Sequence, residues 1–197
     1  MALLLQLPPR FGNGEKHDFL RLESFIKYWK EYVLVDLKET TKRPPELVVE
    51  FRNQYWMRDQ VFDLLEHQKT AYCAVIEPLL PPRMDITNEN LFYLRFHGYG
   101  HKPKPWFNYC FSKEELDSWV KQISKIVDGR LHKKMKAKNI LIYFNNHFSG
   151  YAVKNALYVA NKLNLPHKGD IESLVRPLSY LRAKRGNTPQ KTMDEFF

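Results

Sequence analysis

With 197 residues, 44% of them hydrophobic and 14% aromatic, the chain is long enough for one packed domain and too short for several. Charged residues make up 27%, and 8 Gly with 12 Pro are too few for a collagen-like, low-complexity or wholly disordered chain. The formal net charge of +9 is carried entirely by the C-terminal part: residues 1–120 hold 16 Lys/Arg against 17 Asp/Glu, residues 121–197 hold 15 against 5. That asymmetry is expected of a surface that meets a polyanion such as DNA, because each cation placed on a phosphate releases a counterion. The same charges, Lys133, Lys134, Lys136 and Lys138 among them, also fit a solvated connection between a helix and a strand. Two cysteines, Cys73 and Cys110, form neither a disulfide framework nor a CxxC site, which places the chain in a reducing compartment, cytoplasmic or nucleoid-associated. Met1 to Leu7 lacks the features of a signal peptide, and Pro8-Pro9 cuts it short of a membrane span, so no membrane association is expected.

The elements follow in chain order. ALLLQL, ended by Pro8-Pro9, reads as a strand buried on both faces. Between His17 and Lys30, Phe19, Leu22, Phe25, Ile26 and Trp29 recur at helical spacing. LVVEF predicts a second strand, a helix runs through Trp56 to Gln68, and AYCAVI predicts a third strand leading into a loop with Pro78, Pro81 and Pro82. LFYLRF is a fourth strand, and Ser112-Lys113-Glu114-Glu115 is a capping box that opens a helix. NILIYF is a fifth strand, and Ser149 or Gly150 opens a helix over Tyr151 to Leu163. Five βα-type units with no hairpin signal between them predict an α/β fold with a parallel sheet covered by helices. A further basic helix over Ile171 to Arg182 is stopped by Gly186-Asn187-Thr188-Pro189. The division is a body over 1–165, a basic helix and linker over 166–189, and a tail over 190–197.

In parallel α/β folds ligands sit beyond the C-terminal ends of the strands. Four of the five strands end there in polar residues: Gln6 on the first, Glu50 and Arg52 on the second, Arg95 and His97 on the fourth, and Asn145, Asn146 and His147 on the fifth. Guanidinium forks suit phosphate or carboxylate oxygens, so Gln6, Arg52, Arg95, Asn145 and Asn146 are candidate anion-binding residues. Glu50 and His97 are candidates for acid–base catalysis. The same residues also fit a buried ion network with no chemistry, since Glu50 and Arg52 share a face and stand where Arg95 can pair with them. His97, His147 and Glu50 are the residues that could gather around a divalent metal such as zinc, but no local spacing of metal ligands supports it, and no cofactor is predicted.

LLLQLPPRF, VVEFRNQYW, YLRFHGYG and YFNNHFSGYAVKNA, in this order and spacing, resemble the C-terminal two-thirds of the domain-of-unknown-function 72 (DUF72, YecE-like) family over about residues 2–163. The resemblance implies a TIM-type (β/α) barrel. It also implies that Gln6, Glu50, Arg52, Arg95, His97, Gly98, Asn145, Asn146 and Asn155 stand at family motif positions around the barrel mouth. Members normally begin with two or three further βα units, so a partial barrel is expected here, with two exposed sheet edges that favour self-association or need a cover. The family carries no established reaction.

Gln190-Lys191-Thr192-Met193-Asp194-Glu195-Phe196-Phe197 looks like a PIP box, the motif that binds the sliding clamp PCNA. One 3₁₀ turn would gather Met193, Phe196 and Phe197 into a three-pronged apolar plug, with Gln190 anchored through its amide. Folding of Phe196 and Phe197 back onto the body is the competing reading. The function expected is therefore a clamp-binding accessory protein of DNA replication or repair that carries the barrel. The alternative is a soluble barrel enzyme acting on a small anionic metabolite, with the tail only structural.

Overall fold

The computed structural model describes residues 1–12, 16–100, 105, 107–129 and 136–166. Five strands, β1 (Ala2–Gln6), β2 (Glu46–Glu50), β3 (Ala71–Ile76), β4 (Leu91–Phe96) and β5 (Asn139–Phe144), form one parallel sheet in the order β1-β2-β3-β4-β5. The sheet is curled into a half-barrel, with β1 and β5 at its edges. Helices α1 (Lys16–Tyr28), α2 (Leu34–Thr40), α3 (Asp59–His67), α4 (Lys113–Val127) and α5 (Tyr151–Lys162) cover its outer face.

The apolar runs are continuous because both faces of the central strands are buried. Phe51, Tyr72, Ile76, Leu94 and Phe96 pack outward with Leu22, Ile26, Val61, Leu65 and Ile123 of the helices. Val48, Ala71, Cys73, Val75, Leu91 and Tyr93 pack together on the inner face. Alternation along the inner face then fixes which residues reach the mouth.

Three elements differ from the sequence expectation. The first helix does not stop at Lys30: a π-turn over Trp29–Val33 joins it to α2, so helical backbone continues to Thr40, where Thr41 extends and its hydroxyl donates to the Leu37 carbonyl at 2.6 Å. The helix expected from Trp56 to Gln68 is two pieces, a 3₁₀ turn over Gln54–Trp56 and α3, because Met57 and Arg58 leave the helical region. No helix joins β3 to β4. Residues 77–90 cross over as a loop, held by Leu80 and Ile86 in the core and by Thr87. The Thr87 hydroxyl donates to the Thr70 carbonyl at 2.7 Å and accepts from Tyr72 N at 2.8 Å. The capping box at Ser112 is formed as expected, and α4 follows it.

The exit from β1 is fixed by Trp56. Its Nε1 donates to the Phe11 carbonyl at 2.9 Å, its ring stacks on Phe11 and Phe51, and Gly12 N donates to Asp18 Oδ2 at 2.8 Å. Gly12 has φ +99°, and a Cβ there would lie 2.3 Å from Trp56 Nε1, so glycine is required by conformation and by space. No helix among the described residues is long and apolar enough to cross a membrane. The helix expected over 171–182 and the tail over 190–197 lie outside the described residues, as do Lys133 and Lys134.

Candidate functional site

The strands bring their polar ends together through pairing that continues past the ladders. Leu7 N donates to the Glu50 carbonyl at 3.0 Å, His97 N to Ile76 at 3.0 Å and Asn145 N to Phe96 at 2.7 Å. Gln6 is in register with Glu50, Val75 with Arg95, and Arg95 with Tyr143. Two residues further along the same faces stand Arg52, Glu77, His97 and Asn145. The mouth is thus built in two layers of inward side chains, as TIM-type sheets build their interiors. Gly98, at φ +103°, turns the chain directly after His97, a conformation that other residues adopt at a cost.

Glu50 is the centre of the cluster and is fully buried. Its Oε1 lies 2.9 Å from Arg52 Nη1 and 3.3 Å from His97 Nε2, while Arg95 Nη1 donates to Oε2. Burial on its own would raise the Glu50 carboxyl, but hydrogen bonding to His97 and the charge of Arg95 overcome it and hold the pKa at about 2. Glu50 is therefore a carboxylate at any pH above the acid range. Arg95 Nη1 also donates to Gln6 Oε1 at 3.2 Å. Asn145 Nδ2 lies 3.3 Å from His97 Nδ1. In the tautomer that carries its proton on Nε2, His97 donates to Glu50 and accepts from the Asn145 amide.

Of the residues singled out in the sequence, Gln6, Glu50, Arg52, Arg95, His97 and Asn145 stand in this cluster. Asn146 points to the helix layer instead. Its Nδ2 donates to the Tyr109 carbonyl at 2.8 Å and to Asn155 Oδ1 at 2.7 Å, and Asn155 is bonded through its own amide to both backbone groups of Phe111. Asn146 and Asn155 pin the segment that enters α4, and Asn146 has no side-chain contact with the ion cluster. His147 is exposed and stacks on Phe107, with Nδ1 2.9 Å from the Asn145 carbonyl. Gln190, Met193, Phe196 and Phe197 lie outside the described residues.

Glu77 belongs to the cluster although the sequence reading passed over it. It follows the last residue of β3 and has a side-chain exposure of 1%, with Oε2 3.8 Å from Arg52 Nη1. Neither of its carboxyl oxygens accepts a hydrogen bond. Burial raises its pKa, against the lowering influence of Arg52 and His97. The signal was the alternation Cys73, Val75, Glu77, which continues beyond the apolar run. Cys73 lies beneath, with Sγ 3.9 Å from Glu50 Oε2. Burial and the nearby Glu50 carboxylate push its thiol well above the ordinary range, which favours the protonated thiol.

Among the described residues no three His, Cys, Asp or Glu side chains are arranged to hold a metal ion. A cleft of about 650 Å³ lies at the opposite end of the sheet, lined by Asp63, Glu66, His67, Lys69, Thr87, Glu89 and Lys136. Its charges are mixed, and that end of a parallel sheet is where side chains serve stability.

The profile of the family described as "Protein of unknown function DUF72" matches residues 1–178. The UPF0759 protein YunF of Bacillus subtilis is 23% identical over 188 residues, which cover 85% of this chain and 59% of the relative. A crystal structure of a DUF72 family protein from Thermotoga maritima matches with TM-score 0.65 and 26% identity, over 82% of this chain and 56% of that one. One from Enterococcus faecalis matches with TM-score 0.67 and 24% identity, over 84% and 61%. The chain spans about three-fifths of the length of these relatives.

Proposed function

The chain belongs to the DUF72 family, whose function is unknown, and we propose that its half-barrel mouth binds a small anionic metabolite. The observation that carries this reading is the division of labour around Glu50. One buried carboxylate faces two guanidinium groups, and Arg95 meets both Glu50 and Gln6 through Nη1. Its Nε and Nη2 therefore remain as a fork for the oxygens of a phosphate or carboxylate. A carboxylate held at about 2 accepts a proton poorly at neutral pH, so Glu50 aims the arginines. His97, with Nε2 towards Glu50 and Nδ1 towards Asn145, helps hold the carboxylate that aims them.

Isothermal titration with inorganic phosphate tests the site. Binding to the wild-type protein should weaken about tenfold or more in Arg95→Met, the loss expected for a charge-assisted pair. Equal affinities in the two proteins would refute the assignment.

A second reading rests on Q-x-x-M-x-x-F-F at 190–197. In it the tail docks on PCNA and brings the barrel, with its basic C-terminal third, to DNA in replication or repair. Titrating the QKTMDEFF peptide and its Phe196→Ala/Phe197→Ala version against PCNA separates the two outcomes. The native peptide should bind at micromolar order and the double variant should not. No difference between the peptides would remove this reading.

A further inference from the structure

Glu77 takes no part in holding Arg95, and its surroundings leave it incomplete. Both carboxyl oxygens are shut off from solvent and neither has a hydrogen-bond donor. Arg52 Nη1 approaches to 3.8 Å, beyond hydrogen-bonding distance, and is itself held at 2.9 Å by Glu50 Oε1. The charged and titratable groups around Glu77 come from three strands: Glu50 and Arg52 from the end of β2, Tyr72 from β3 itself, and His97 from the end of β4. A buried carboxyl in this state lacks donors if ionised and an acceptor if neutral, and either form costs free energy. On the other side of Glu50, the unused donors of Arg95 call for an acceptor. One small molecule can answer both needs if it carries anionic oxygens at one end and hydrogen-bond donors, such as hydroxyl groups, along its length.

We propose that the mouth takes a polyhydroxylated anion of the sugar-phosphate or sugar-acid class, with its anionic group on Arg95 and a hydroxyl donating to Glu77. This rests on the anion-binding reading and adds to it the identity of the ligand's other end. The hydroxyl reaches Glu77 by turning aside Arg52 Nη1, which makes no hydrogen bond to Glu77. Glu77 is then a specificity residue, and the bond it accepts is absent for an alkyl phosphate of the same length.

The test is calorimetric, with matched pairs of probes on the full chain. Ribose 5-phosphate should bind the wild-type protein about tenfold more tightly than pentyl phosphate, the ratio expected of one hydrogen bond to a charged group. Gluconate against hexanoate repeats the comparison for a carboxylate, and the pair that shows the ratio identifies the anionic group. In Glu77→Met the ratio should fall to about one. Glu77→Gln, which keeps an acceptor oxygen and loses the charge, should give an intermediate ratio and serves if the Met variant does not fold. A ratio near one for both pairs in the wild-type protein, or a full ratio in either variant, overturns the proposal and leaves anion binding standing. Failure of all four probes to bind overturns both.

Discussion

Glu50 joins two arginines and a histidine on one carboxylate, and its removal has a definite consequence. In Glu50→Gln two guanidinium groups lose their buried counter-charge, and the variant should be about 3 kcal/mol less stable in urea denaturation at neutral pH. The acid response carries the same information. Glu50 is lowered from an ordinary 4.5 to about 2, so the unfolded chain binds the proton more tightly across that interval. The stabilisation is full above about pH 4.5 and is lost as the pH falls to about 2, on the order of 3 kcal/mol in all. Glu77, whose carboxyl is raised, has the opposite sign: its protonated form favours folding, and that contribution disappears as the pH rises. Unfolding free energies measured from pH 2 to 6 should show the Glu50 component in the wild-type protein and lack it in Glu50→Gln. Parallel curves would contradict the ion-pair assignment. At this scale alternation made Gln6, Glu50, Arg52, Arg95 and His97 legible as strand endings. Glu77 was concealed by the apolar run before it and by Pro78 after it. Asn145 and Asn146 read alike, and only the direction of β5 sends one amide to the mouth and the other to the helices.

At the scale of elements, the crossover from β3 to β4 shows what local pattern cannot convey. A parallel connection usually contains a helix, yet residues 77–90 have none, and side chains tie the loop to the sheet: the Thr87 hydroxyl at the start of β3, and the Asn88 amide, which donates to Glu46 of β2 and to the Lys69 carbonyl. Thr87 accepts from Tyr72 N and donates to the Thr70 carbonyl, completing the start of β3 with side-chain bonds. Thr87→Val keeps the shape and leaves both backbone groups unsatisfied, so the variant should lose about 2 kcal/mol with an unchanged denaturant slope. A loss below a few tenths of a kcal/mol would show that the loop is held by Leu80, Ile86 and Asn88 without Thr87. The proline-rich sequence announced a loop, but its partner across 15 residues was invisible to any window of local pattern. The π-turn at Trp29–Val33 escaped for a related reason. Its extra residue shifts the helical period at Lys30, where the reading ended, and packing of Val33, Leu34 and Leu37 on the core carries the helix onward. The capping box at Ser112 was legible because both of its bonds lie within four residues.

At the scale of the whole molecule, the parallel order and the curl place every strand's C-terminal end on one rim. The family profile over residues 1–178 agrees with the motifs found at strand ends. The parallel direction of the strands was legible from βα alternation. The curl was not, because it depends on strand twist and on pairing between residues far apart in the chain. Charge separates in the same way: the mouth has its own cations, Arg52 and Arg95, while the chain's excess charge belongs to residues 121–197. The anion site proposed for the mouth and the clamp contact proposed for residues 190–197 thus draw on separate residues, and each is open to its own measurement. The most direct for the mouth is nuclear magnetic resonance of the arginine side chains during titration with inorganic phosphate. The Nε resonance of Arg95 should shift saturably, while that of Arg83, whose Nε is bonded to Asp85 at 2.8 Å, should stay in place. A stationary Arg95 resonance, or equal movement of Arg83, would contradict an anion site at the rim.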